Sequence, residues 1–152
     1  MGESLLNKTN MFPVSVANGG TGATTATSAR TNLDVMHATT LYSNASGTNG
    51  TITLSDNVSN YSIIRFYYIG FVARQSCDVD VDTLANSEVC LQVNYCNSAQ
   101  SATWSKSCLL GVSGNTVTFS RNTSVKIDSN GVSFDTTTTE RMYILKVVGY
   151  KY

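Results

Sequence analysis

Hydrophobic and polar residues alternate with a period of two along most of the chain beyond residue 39, and clusters of Asn, Asp, Gly and Ser break the alternation. That pattern predicts strands joined by turns. Thr39–Ser43 reads as a short first strand, Ser46–Gly50 as a turn, Thr51–Leu54 as a second strand and Asp56–Asn60 as a loop. Tyr61–Val72 is the strongest strand; it is apolar on both faces, which predicts a central position between two layers or at a subunit contact. Gly70 within it marks a bulge or a close backbone approach. Glu88–Tyr95 alternates cleanly, with Val89, Leu91, Val93 and Tyr95 on one side and Cys90, Gln92 and Asn94 on the other. Thr103–Val112, Asn115–Ser120 and Ser124–Asp128 follow as strands. Asn130-Gly131 before Val132-Ser133-Phe134 is a hairpin signal. Met142–Lys151 closes the chain as a long strand, and no long helix is expected in this region.

The first quarter follows another rule. Gly19, Gly20 and Gly22 lie within four positions and permit positive φ, and the Thr24-Thr25 pair can cap a helix start. Ala26, Ala29 and Leu33 then share one helical face. A helix this short is not stable alone in water, so its small apolar stripe needs a partner, and other copies of the chain are the natural one. The sequence therefore divides into a stem over residues 1–36 and a head over residues 37–152. Threefold association would bury Val14, Val16, Ala26, Ala29 and Leu33.

The string Gly-Gly-Thr-Gly-Ala-Thr-Thr-Ala at residues 19–26, followed by Ala-Arg-Thr-Asn-Leu at 29–33, resembles a repeat of bacteriophage tail fibres and related tail structural proteins. Thr27-Ser28 stands where that family usually has an alanine-rich pair, and Asp34 where it tends to have glycine. The ending Tyr-Ile-Leu-Lys-Val-Val-Gly-Tyr-Lys is similar to the closing strand of phage fibre heads, and Leu41-Tyr42-Ser43 to their openings. The resemblance implies a homotrimer with a mainly β architecture: a short stem with a small helix, then an antiparallel β-sandwich head. It implies a place in the virion tail, after synthesis in the host cytoplasm, and a prophage origin is compatible with it. Other phage tail proteins and host-surface polysaccharide are the implied partners.

Composition narrows the classes. Charged residues make up 13% of the 152, against about 25% in an average domain. Ser, Thr and Asn take up the difference, at about a third of the sequence. The net charge is +0, so no electrostatic footprint for nucleic acid or an anionic membrane exists. No apolar run has the length of a membrane span, and the first residues lack the basic and apolar regions of a secretion signal.

Candidate chemistry is sparse. Cys77, Cys90, Cys96 and Cys108 show no C-x-x-C spacing, and are read as free thiols, mostly buried in strands as small hydrophobes. Asp78, Asp80 and Asp82 alternate; they suit a hard cation such as calcium, or a solvent-facing strand or loop edge whose charge blocks pairing. The loop has Thr83 and Val89 where a calcium-binding hand needs glycine and glutamate, and the reading adopted has no metal and no cofactor. His37 is the only histidine and lies at the stem–head junction, away from any strand that would build a triad. No catalytic constellation is legible, so the chain is read as a structural protein and not an enzyme; a polysaccharide-degrading enzyme or an architectural adaptor without receptor binding are the alternatives. Trp104 and eight tyrosines offer faces for sugar rings. Tyr67, Tyr68, Tyr95 and Trp104 are the candidates for carbohydrate contact, with ordinary strand packing as the competing account.

Overall fold

Thr25 opens a helix in the leader. In the computed structural model, which describes residues 20–71, 73–84, 88–96, 98–135 and 142–152, α1 spans Ala26–Asn32. Thr25 has extended backbone and its hydroxyl accepts the Ser28 N–H at 3.1 Å, the cap expected of the threonine pair. Gly22 takes φ +65°, and the Asn32 side chain donates to the Thr21 carbonyl at 2.6 Å, tying the glycine turn to the helix. The helix ends in a Schellman turn: the Val35 N–H donates to the Arg30 carbonyl at 2.9 Å and the Asp34 N–H to the Thr31 carbonyl at 3.1 Å. Asp34 occupies the left-handed position of that turn, at φ +53°. No residue of α1 is buried, Ala26 and Leu33 are exposed and Ala29 is half-buried. Val14 and Val16 lie outside the described residues.

The chain divides into two compact units, Met1–His37 with Tyr152, and Ala38–Lys151. The second is mainly β, built of two antiparallel sheets. The first sheet has the order β1-β9-β3-β4, with β1 His37–Thr48, β3 Ile63–Gly70, β4 Ala73–Asp80 and β9 Tyr143–Lys151. The second has β2-β7-β6-β5, with β2 Ile52–Thr53, β5 Val89–Cys96, β6 Ala102–Ser113 and β7 Thr116–Asp128; β8, Gly131–Asp135, also pairs with β7. A 3-10 turn at Val58–Asn60 and a single helical turn, α2 at Val81–Leu84, lie between strands.

Alternation decides what each sheet buries. Along β3 the inward residues Ile64, Phe66 and Tyr68 are buried and Arg65, Tyr67 and Ile69 point outward. Along β5, Val89, Leu91 and Val93 are buried while Cys90, Gln92 and Asn94 are exposed, the division expected from sequence. Leu41, Ile64, Phe66, Ile144 and Val147 of the first sheet share one hydrophobic cluster with Ile52, Leu91, Val93, Cys108, Leu110 and Val117 of the second. Two sheets facing across a common core make a sandwich-like unit, and each fully buried side chain of that size contributes roughly 1.5–3 kcal/mol.

Several elements differ from expectation. β1 runs for 12 residues through Ser46-Gly47, where a turn was expected. Gly47 takes φ +77° against the Tyr143 side chain, so the glycine serves a close approach within the strand and not a reversal. β4 covers residues of which only the acidic run was expected at a solvent-facing strand or loop edge; its outer positions are polar and it lies at a sheet edge. β7 joins two expected strands into one of 13 residues, with the register shifting opposite Leu109/Leu110. The β7–β8 hairpin turns at Ser129-Asn130, one residue before Asn130-Gly131, since Asp128 pairs with Gly131. Gly70 is a close approach: a Cβ there would lie 3.3 Å from Met142 and Val93.

Candidate functional site

β5 and β6 pair with Tyr95 directly opposite Trp104. Both rings project on the inward side of the sheet, beyond the sealed core, and remain half-buried. Phe71, in the turn that follows β3, stacks on Tyr95 with ring centroids 5.2 Å apart, and Trp104 lies 5.7 Å from Tyr95 and 6.2 Å from Phe71. Phe71 holds φ +56°, a left-handed conformation that an L-residue adopts at a cost of about 1–2 kcal/mol. Lys106 is buried with its ammonium 3.8 Å from the Phe71 ring centroid. Lys126, paired with Trp104 across β6 and β7, lies 5.7 Å from the indole and bonds Asp128 at 2.6 Å. That ammonium, with the Asn130 N–H, holds the Asp128 carboxyl below its usual range. The result is an aromatic platform with two cations and a carboxylate beside it. Such a surface can stack on the apolar face of a sugar ring and bond its hydroxyls.

Tyr67 belongs to another surface. It points outward from β3, and Arg65, ahead of Tyr150, lowers the pKa of its hydroxyl. Arg65 in turn grips Asp78 on β4 and lies 5.2 Å from the Tyr150 ring. Lys146 of β9 lies 5.8 Å from the Tyr67 ring centroid. A groove of about 300 Å³ opens here, lined by Ser43, Ala45, Tyr67, Arg74, Gln75 and Lys146 among others.

The four sequence candidates therefore part company. Tyr95 and Trp104 come together, and Tyr67 lies on the outer face of the first sheet. Tyr68 is a correction: it is 4% exposed, belongs to the core cluster and donates its hydroxyl to the Gln92 carbonyl at 3.1 Å, so no sugar can stack on it. Period-two alternation separates Tyr67 from Tyr68, and the sequence already carried that signal. Phe71, Lys106 and Lys126 were missed. Extending the strand to Val72 hid the turn that presents Phe71, and lysines on two neighbouring strands, twenty positions apart in the chain, show no sequence relationship.

The acidic run is structural in its contacts. Asp78 is occupied by Arg65, and the Asp80 side chain accepts the Asp82 N–H at 3.2 Å at the start of α2. No group of three or more metal-binding side chains occurs among the described residues. His37 is the first residue of β1. All four cysteines are free thiols, but the expectation that most are buried is corrected: Cys108 is buried, Cys77 half-buried, and Cys90 and Cys96 exposed. Cys90 takes an outward position of β5, and Cys96 ends that strand on the outer side. No helix among the described residues is long and apolar enough to cross a membrane. No protein-family model and no curated protein matches this chain.

Proposed function

We propose that this chain is a structural component of a bacteriophage tail, in a tail fibre or baseplate tip, acting as a homotrimer without catalytic activity. One observation carries the reading. The leader helix has no buried residue, and immediately after it Leu33, Val35 and Met36 stand 51%, 47% and 44% exposed. Three large apolar side chains open to water over four positions are a contact surface awaiting a partner. Half-burial of each is worth roughly 1 kcal/mol, and threefold symmetry repeats the gain in every chain. The resemblance of residues 19–33 to the tail-fibre repeat supplies the identity of the partner as further copies of the chain.

The head would touch host-surface carbohydrate through Tyr95 and Trp104, beside Lys126 and Asp128. Weak single sites would gain by avidity from three copies on one axis. Glycan-array binding tests this part. The intact chain should retain host-derived polysaccharide, and Trp104→Ala should lose about tenfold or more, since stacking on one aromatic ring is worth roughly 0.5–1.5 kcal/mol per site and the loss repeats threefold. Reducing ends should not accumulate during incubation. Unchanged binding by the variant, or release of reducing ends, overturns the reading.

A further inference from the structure

We infer that the groove over Tyr67 is a second saccharide site, selective for sugars that carry a carboxylate. The inference rests on the carbohydrate-contact reading above and adds a separate place and a charge class. Ser43, Tyr67, Arg74, Gln75 and Lys146 line about 300 Å³, a volume at the low end of the range for small-molecule sites. The chemistry is one-sided. Arg74 and Lys146 bring two cations to the groove, neither held in a salt bridge among the described residues, and no carboxylate is among the lining residues. Asp78, on β4 of the same face, is neutralised by the two bonds from Arg65.

The aromatic element is held in place beforehand. Cross-strand pairing sets Ser76 on one side of the Tyr67 ring and Lys146 on the other, with the Lys146 ammonium 5.8 Å from the ring centroid. A sugar ring laid on Tyr67 would place a carboxylate between Arg74 and Lys146. The guanidinium can grip it through two parallel N–H bonds, and the Ser43 hydroxyl can bond a ring hydroxyl. The Tyr95–Trp104 platform differs in kind, because there Lys126 is paired with Asp128 and Lys106 is buried against the Phe71 ring, so neither ammonium is open to a ligand as Arg74 and Lys146 are. Neutral saccharides suit that platform and acidic ones this groove.

Calorimetric titration of the full chain with oligogalacturonate and with sialyllactose, each against its carboxyl methyl ester, tests the assignment. At least one acid should bind about tenfold or more tightly than its ester, and the preference should collapse near 1 M salt, where the screening length falls to about 3 Å. Arg74→Gln and Lys146→Gln should each weaken acid binding about three- to fivefold, the pair together about tenfold or more. Arg121→Gln, which removes an exposed charge from the other sheet, should leave it unchanged. Equal affinity for acid and ester, or unchanged affinity in the double variant, overturns the groove assignment. If neutral glycans still bind in a Trp104-dependent way, only the groove assignment fails. If no saccharide of either kind binds, the carbohydrate reading fails with it.

Discussion

Arg65 and Asp78 face each other across β3 and β4 and are joined by two near-parallel hydrogen bonds, Nε to Oδ1 at 2.5 Å and Nη2 to Oδ2 at 2.6 Å. The guanidinium holds the Asp78 carboxyl below the usual carboxylate range. The Asn57 N–H, with Asn60 and Tyr61, does the same to Asp56, and Lys126 to Asp128. A carboxyl depressed in the folded state contributes stability that is fully present above its unfolded value and lost as pH falls through the folded one. Thermal melts should therefore be flat between about pH 7 and pH 5 and fall steadily below about pH 4. Asp78→Asn should blunt that acid loss. At neutral pH it should cost only about 1–3 °C, because the two side chains are 35% and 46% exposed and water screens the pair. A melting temperature that rises on acidification contradicts this account.

Asp34 is strained by its place in the Schellman turn, at φ +53°. Asp34→Gly should stabilise the helix end by about 0.5–1 kcal/mol, and Asp34→Val should abolish the turn. Hydrogen exchange at the Val35 amide, which donates to the Arg30 carbonyl, reads the effect directly. Slower exchange in the glycine variant and faster exchange in the valine variant are expected; the opposite order contradicts the assignment.

Gly149 packs under the Tyr61 ring so closely that an added Cβ would overlap it. Neither residue can yield easily, since the Tyr61 hydroxyl donates to Asp56 at 3.0 Å and Gly149 pairs with Ile64 in the middle of the sheet. Gly149→Ala should destabilise the chain by about 1–3 kcal/mol in urea unfolding, despite the entropy that alanine removes from the unfolded state. A neutral result would mean that the ring moves aside.

The β content was legible because alternation is local. Val89, Leu91 and Val93 announce their face without reference to any other strand, and the Thr25 cap and the glycine turn are equally local. What escaped was set at a distance. β4 is defined by pairing with β3 rather than by its own hydrophobicity, and Gly47 serves Tyr143 from almost a hundred residues away. The Tyr95–Trp104 contact depends on register between two strands. Phe71 and Lys126 join it only after folding, and the cationic groove draws on four strands at once.

The thiols should separate by exposure. Cys90 and Cys96 should react first with a disulfide reagent in the folded chain, and Cys77 more slowly, since burial is the main cause raising its pKa. Cys108, whose thiol burial pushes up to about 12, should react only on unfolding. Mass mapping after brief labelling gives the order, and early modification of Cys108 contradicts the packing described.

Solution mass by light scattering or sedimentation tests the central claim most directly: that the apolar surface at Leu33, Val35 and Met36 is completed by further copies of the chain. The account predicts a species of three times the 16.3 kDa chain mass, converted by Leu33→Asp to smaller species while the head keeps its melting temperature within a few degrees. A single 16.3 kDa chain at micromolar and higher concentration would contradict it.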